Sequence, residues 1–190
     1  YNSPDCIEKK NYWKGVIIVF EAWIRFCNRY ADLAEKMAAE EKSETRRAEL
    51  LEMARICRKV PQYPAESFRE ALQSFWFTFL MALPSPTTSA GRFDQYMYPY
   101  YKKDIDSGKI TDDEVLELLE IMRCKVMKIN RVSGKANRMK NAGQAKWYNW
   151  TIGGVKADGT DATNELSYLL LESAKDTLLP HFTITLRVHE

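Results

Sequence analysis

The stretch Gly91-Arg92-Phe93-Asp94-Gln95-Tyr96-Met97-Tyr98-Pro99-Tyr100-Tyr101 places an arginine and an aspartate two positions apart among one phenylalanine and four tyrosines. So much aromatic area is unfavourable in water, and we therefore expect the stretch to be buried. A buried charge requires a partner. The stretch thus predicts that Arg92 and Asp94 belong to a paired charge set inside an aromatic wall.

Composition and charge restrict the classes of function. The chain has 190 residues, is 45% hydrophobic and carries a formal net charge of +2, which suits one folded domain and disfavours a nucleic-acid partner. The longest apolar run, Val16 to Phe20, is far shorter than a membrane span. Four cysteines without a CxxC pair, and two histidines without a carboxylate at a ligand spacing, argue against a metal site. We predict a soluble protein from a reducing compartment.

Hydrophobic periodicity predicts a helical N-terminal part. Apolar residues at three- and four-residue spacing indicate helices over residues 11–42 and 45–58, and a third helix that begins near Pro64. The third helix is apolar on nearly every side along residues 75–83, so we expect it to lie inside a larger body. The loop of small residues that follows, 83–91, is of the type on which enzymes carry functional side chains.

Strand and helix patterns alternate in the C-terminal half. Thr111 and Glu114 form a capping-box pattern before a long apolar stripe, which predicts a helix. A strand over 150–155 ends in two glycines, where the backbone turns or another group approaches closely. Asp161 is expected to cap a helix over 162–175, and a second strand follows over 181–189. This order predicts parallel strands joined by a right-handed crossover.

The chain resembles the glycyl radical enzymes, the pyruvate formate-lyase-like superfamily, and especially the decarboxylase, dehydratase and alkyl- or arylsuccinate synthase branches. Four stretches in family order carry the resemblance: Tyr63–Gln73; Gly91–Tyr101; Thr151–Gly154 with Asp161–Ser167; and Thr185–His189. The resemblance implies an α/β, helix-rich fold, part of a ten-stranded α/β barrel of the glycyl radical enzyme type with surrounding helices.

The same resemblance implies that residues 1–190 are an internal fragment of a single pyruvate formate-lyase-like domain. The resemblance places the loop with the thiyl cysteine and the domain with the radical glycine outside this chain. No catalytic residue is therefore expected here, and we expect the fragment alone to be inactive.

Substrate-binding residues are expected in the loop before the Gly91 motif, which lines the pocket in the family. The histidine-serine pair of the diol dehydratases matches Pro86 and Thr87 in this chain. We expect Thr87 and Thr88 to bind substrate, with helix capping as the alternative for both.

Three other residues are candidates for structural or binding roles. Trp150 is expected to contribute an aromatic wall of the pocket, with core packing as the alternative. For Arg92 and Asp94 we favour a structural role over contact with substrate, because buried paired charges usually serve architecture.

The resemblance implies that a glycyl radical passes to a cysteine thiyl, which takes a hydrogen atom from the substrate. Because the hydroxyl-binding pair is absent, addition of a hydrocarbon to fumarate is favoured, followed by decarboxylation of an arylacetate and dehydration of a diol. Formate-forming acyl cleavage, as in formate acetyltransferase, ranks last. A non-catalytic helical scaffold is the alternative from another class.

Partners follow from the resemblance as well. A radical S-adenosylmethionine activase would install the glycyl radical in the missing C-terminal part, and no other cofactor is expected to be bound. We expect a small-molecule substrate, a homodimer of the full-length protein and an oxygen-free cytoplasmic setting, with no nucleic acid and no membrane as partner.

Overall fold

The computed structural model describes residues 4–82, 89–129, 134–140 and 148–188. The chain forms two compact units, residues 1–81 and residues 82–190. The first unit contains three helices: α1 Pro4–Glu40, α2 Glu44–Lys59 and α3 Phe68–Ala82. A core cluster joins all three, with members Cys27, Ala31, Ala34, Ala54, Cys57 and Phe77.

Helix α3 begins later than the sequence predicts. Its first residue is Phe68, and the Ser67 hydroxyl accepts a hydrogen bond of 3.2 Å from the Glu70 amide. Ser67 therefore satisfies a free amide at the start of the helix, a role that a proline cannot fill. The prediction of a start near Pro64 was wrong for this reason.

The second unit alternates strands and helices. Its elements are β1 Ser89–Arg92, α4 Phe93–Tyr96, α5 Tyr98–Asp106, α6 Asp112–Met127, α7 Lys135–Lys140, β2 Asn149–Gly153, α8 Glu165–Thr177 and β3 Thr183–Arg187. The strands form one parallel sheet in the order β1-β2-β3, with Trp150 opposite Ile184. Parallel pairing of the two predicted strands is thereby confirmed.

Two capping boxes fix the starts of the long helices in this unit. Thr111 and Glu114 cap α6 as predicted. Helix α8 is capped by Asn164, whose side chain accepts from the Ser167 amide while the Ser167 hydroxyl accepts from the Asn164 amide. The prediction of Asp161 as the cap was wrong, because its carboxylate accepts from Thr163 in a tight turn before the helix.

Candidate functional site

The two faces of β2 differ in chemistry. Trp150 and Ile152 are fully buried on one face, whereas Asn149 and Thr151 on the other face are partly exposed. Successive side chains of a strand point to opposite sides of a sheet. Strand β2 therefore has an apolar side that is buried and a polar side that is partly exposed, whereas Leu186 on β3 is 58% exposed.

The polar face, which we call the hydroxyl face, carries Asn149, Thr151, Thr183 and Thr185 of β2 and β3; on β1, Ser89 lies opposite Asn149 and Arg92 lies opposite Thr151. Asn149 lies opposite Thr183 and Thr151 lies opposite Thr185 in the β2–β3 register, and residues opposite each other share a face. Within the described residues, the hydroxyls of Thr151 and Thr185 form no hydrogen bond with the protein. Neighbouring hydroxyls of this kind can each donate to and accept from a polar ligand.

Arg92 and Asp94 hold the end of β2 through its main chain. The Arg92 guanidinium donates to the carbonyls of Gly153 and Val155 at 2.9 and 3.0 Å. The Asp94 carboxylate, which is fully buried, accepts from the Gly153 amide at 2.8 Å and from the Ser167 hydroxyl at 2.6 Å. The two charges therefore find their partners in the strand and in α8 rather than in each other.

The glycine pair at the end of β2 allows a close approach of β3. Gly153 and Gly154 have φ angles of 69° and 86°. A Cβ atom on Gly153 would lie 3.0 Å from the carbonyl oxygen of Arg187, and one on Gly154 would lie 3.2 Å from the Arg187 Cβ. Any side chain at these positions would separate the carboxyl ends of the two strands.

Arg123 is the buried cation that sequence analysis missed. Its guanidinium, on α6, donates to the carbonyls of Phe182 and Leu179 at 2.9 and 2.7 Å and to the Thr177 hydroxyl at 3.0 Å. Burial lowers the pKa of Arg123 below its ordinary value. The sequence around Arg123 does not predict this role, because the three acceptors lie more than fifty positions away in the chain.

The predicted site residues fall in two different places. Thr87 and Thr88 lie outside the described residues, so their substrate-binding role stays a prediction. Trp150 is fully buried on the apolar face and stacks on Phe182, with ring centroids 4.5 Å apart. Its position favours the core-packing alternative, although its role in substrate binding also stays a prediction.

Other classes of site are not represented in the described ranges. No group of three or more His, Cys, Asp or Glu side chains in these ranges could hold a metal ion. No helix that the structure describes has the length and apolar character needed to cross a membrane. In the first unit, burial and the nearby Cys57 raise the pKa of the Cys27 thiol to about 12, so this thiol stays protonated and unreactive.

Comparison with known proteins identifies the family. A family model described as pyruvate formate lyase-like matches residues 2–190. The chain is 42% identical over 193 residues to isethionate sulfite-lyase from Oleidesulfovibrio alaskensis, covering 98% of this chain and 23% of that enzyme.

Two solved structures show the same likeness. A Roseburia inulinivorans structure solved for 1,2-propanediol dehydration has a TM-score of 0.93 and 38% identity. The glycerol-bound, B12-independent glycerol dehydratase from Clostridium butyricum has a TM-score of 0.91 and 39% identity. Each match covers 99% of this chain and 24% of the other chain, so the chain spans about a quarter of the length of its relatives. With its helix-rich α/β fold and parallel sheet, the chain belongs to the pyruvate formate lyase-like family, the family of the glycyl radical enzymes.

Proposed function

We propose that the whole protein is a glycyl radical lyase that removes a leaving group from the carbon beside a hydroxyl-bearing carbon, and that 2-hydroxyalkanesulfonates such as isethionate are its substrate class. Isethionate, 1,2-propanediol and glycerol, the compounds named for the three relatives, all contain this arrangement. The sulfonate is favoured because the isethionate enzyme shares 42% identity and because Pro86 replaces the histidine expected of a diol dehydratase.

The observation that carries the proposal is the hydroxyl face. The unpartnered hydroxyls of Thr151 and Thr185 lie opposite each other in the register and are suited to a small substrate with a hydroxyl and leaving-group oxygens. Neutral hydroxyls of this kind orient the substrate, and they do not accept the proton that the substrate hydroxyl releases during the reaction. Holding the reacting carbon in one geometry is the main contribution a protein makes to such chemistry.

The proposed reaction balances as follows. A hydrogen atom leaves the hydroxyl-bearing carbon, the leaving group departs with the electron pair of its bond, and the hydroxyl proton passes to the departing group, which leaves as hydrogen sulfite from isethionate or as water from a diol. The product radical then lies on the carbon that held the leaving group, and the hydrogen atom returns there to give a carbonyl compound. The atoms that carry the radical belong to protein outside this chain, while this chain would help to hold the substrate and to exclude water.

The other reactions rank behind this one. Dehydration of a vicinal diol is the second candidate, because two structures of that kind superpose with TM-scores of 0.93 and 0.91. Addition of a hydrocarbon to fumarate, which the sequence analysis favoured, gains no support, since none of the three relatives is named for it. Decarboxylation of an arylacetate stays an open alternative. We also propose that a radical S-adenosylmethionine enzyme activates the whole protein, that it forms a homodimer and that it is cytoplasmic.

The test uses the full-length protein, activated anaerobically, with the glycyl radical counted by electron paramagnetic resonance. We expect sulfite and an aldehyde from isethionate in equal amounts, and slower aldehyde formation from 1,2-propanediol. Thr185→Val and Thr151→Val should each lower kcat/KM by roughly tenfold, because each removes one hydroxyl that contacts the substrate.

Thr160→Val is the matched control, since Thr160 lies in an exposed turn where its hydroxyl bonds to Asp158. Full radical content without turnover of isethionate would refute the sulfonate assignment. Turnover that Thr151→Val and Thr185→Val both leave unchanged would refute the role of the hydroxyl face.

A further inference from the structure

We infer that Arg123 is a positioning residue that fixes the first peptide of β3 and thereby the placement of Thr183 and Thr185 on the hydroxyl face. The link to catalysis rests on the proposed function. The link to the strand does not, because it follows from the hydrogen bonds of the guanidinium alone.

All three hydrogen bonds of Arg123 go to the connection between α8 and β3. Its Nε donates to the last residue of α8, Thr177, while Nη2 donates to Leu179 in the loop and Nη1 to Phe182 just before the strand. A planar guanidinium presents its donors in a fixed fork, so three acceptors in different directions determine the path of the loop. One side chain of α6 thus joins the end of a helix to the start of a strand.

The peptide between Phe182 and Thr183 is held at both of its polar atoms. Arg123 donates to the Phe182 oxygen at 2.9 Å, and the Thr183 amide donates to the Tyr148 carbonyl at 2.9 Å. The oxygen and the amide belong to the same planar unit. Loss of the Arg123 bond would free this unit to rotate about the remaining one, and the Thr183 side chain would move with it.

Arg123 also contacts β2, through the Trp150 ring on the apolar face of the strand. Its guanidinium carbon lies 5.6 Å from the centre of the Trp150 ring, in the range of a cation-π contact. Trp150 in turn stacks on Phe182. Arg123 therefore contacts Trp150 of β2 and the Phe182 carbonyl just before β3, and these two strands carry the paired residues Thr151 and Thr185.

The electrostatics of the position indicate that Arg123 does more than fill space. It is 2% exposed, and no carboxylate in the described ranges forms an ion pair with it. The carbonyl-rich C-terminal end of α8 supplies only partial negative charge. Burying such a charge costs more stability than an apolar side chain of similar volume would, which favours a role in geometry.

The test compares Arg123→Gln, Arg123→Lys and the control Lys125→Gln in the full-length protein. Lys125 is an exposed cation two positions away on α6, so its substitution removes the same charge from the same helix. In Arg123→Gln we expect amide hydrogen exchange over Thr183–Arg187 to be faster by about tenfold or more, while Leu119 in the middle of α6 stays protected. Arg123→Lys should show most of the same effect, because an ammonium cannot serve three divergent acceptors.

The second measurement is steady-state kinetics of the activated variants. We expect KM for the substrate to rise several-fold in Arg123→Gln at unchanged radical content, and Lys125→Gln to match the parent protein. Unchanged exchange over β3 in Arg123→Gln would overturn the inference, and so would exchange in Arg123→Lys that matches the parent.

Faster exchange with unchanged KM would overturn the link to the hydroxyl face. Exchange requires no turnover, so a failure of the proposed function leaves the strand measurement readable. Should Arg123→Gln fail to fold, shown by lost protection at Leu119, the comparison of Arg123→Lys with Lys125→Gln decides the question.

Discussion

Gly153 is the residue at which three parts of the second unit meet. Its amide donates to Asp94, its carbonyl accepts from Arg92, and its Cα faces the backbone of Arg187. A glycine is required here for two reasons, a positive φ and the lack of space for a Cβ. The two reasons can be tested separately, because Gly108 also has a positive φ but has space for a Cβ atom.

We predict that Gly153→Ala destabilises the sheet more than Gly108→Ala destabilises its own turn. The φ angles are nearly the same, 69° and 67°, so the conformational penalty of about 1 kcal/mol is shared. Only the alanine at 153 would have its Cβ at 3.0 Å from a backbone oxygen, whereas nothing lies within 4 Å at 108. The excess for Gly153→Ala should be about 1–3 kcal/mol in the free energy of local opening from amide exchange. Equal penalties would show that the Arg187 contact is of no consequence.

Sequence alone predicted part of this residue-scale picture. The glycine pair predicted a turn or a close approach, and the structure shows the close approach, to Arg187. The aromatic stretch predicted a paired charge set that includes Arg92 and Asp94. Among the described residues, the partners of Asp94 are instead the neutral Gly153 amide and Ser167 hydroxyl, which lie about sixty and seventy positions away in the sequence. A carboxylate can accept from any amide or hydroxyl, and only the fold decides which one arrives.

Helices α2 and α3 are joined by a buried carboxylate. Glu70 is 3% exposed and accepts from Lys59 at 2.9 Å, from Arg55 at 3.0 Å and from the Glu66 amide at 2.9 Å. Burial by itself would raise the pKa of Glu70, but these hydrogen bonds outweigh it and lower the pKa to about 2. The loop between the two helices is thereby closed by charge-assisted hydrogen bonds.

We predict a pH-dependent contribution of Glu70 to stability. Because the folded-state pKa lies below the unfolded value of about 4.3, the contribution is complete above that value and is lost as the pH falls towards 2. Glu70→Gln should therefore lower the free energy of opening of α2 and α3 by about 1–3 kcal/mol at pH 7 and by much less near pH 2 to 3.

The control for this prediction is Glu49→Gln, which removes one carboxylate from an ion pair with Arg46 that is about half exposed. An exposed pair of this kind contributes about 0–1 kcal/mol, so we expect little change at either pH. A Glu70→Gln effect that did not diminish in acid would contradict the charged role of the carboxylate.

At the scale of the molecule, part of the apolar stripe of α1 in the first unit is exposed. Apolar residues recur along one face of the helix at alternating spacings of four and three: Trp13, Ile17, Phe20, Ile24, Cys27, Ala31, Ala34 and Ala38. The last four are buried, whereas Trp13 and Phe20 are 61% and 51% exposed. Helix α2 has 16 residues against 37 in α1, so it can cover only part of this face.

We predict that the isolated 190-residue chain binds a hydrophobic dye and self-associates. Exposed apolar area of this extent favours association in water. Trp13→Glu combined with Phe20→Glu should reduce dye fluorescence severalfold, whereas Tyr168→Glu, at a 64% exposed position of α8, should not. A monomer with one cooperative unfolding transition and no dye binding would instead support the scaffold alternative.

The sequence by itself determined the helices with strong periodicity, the Thr111 capping box, the parallel strands and the family, because these depend on neighbours in the chain and on short ordered motifs. The tertiary structure decided which charges meet which partners, and that the Arg123 guanidinium packs against the Trp150 ring. The partners in these contacts lie at least 27 positions apart in the chain, so the sequence around one residue does not identify the other.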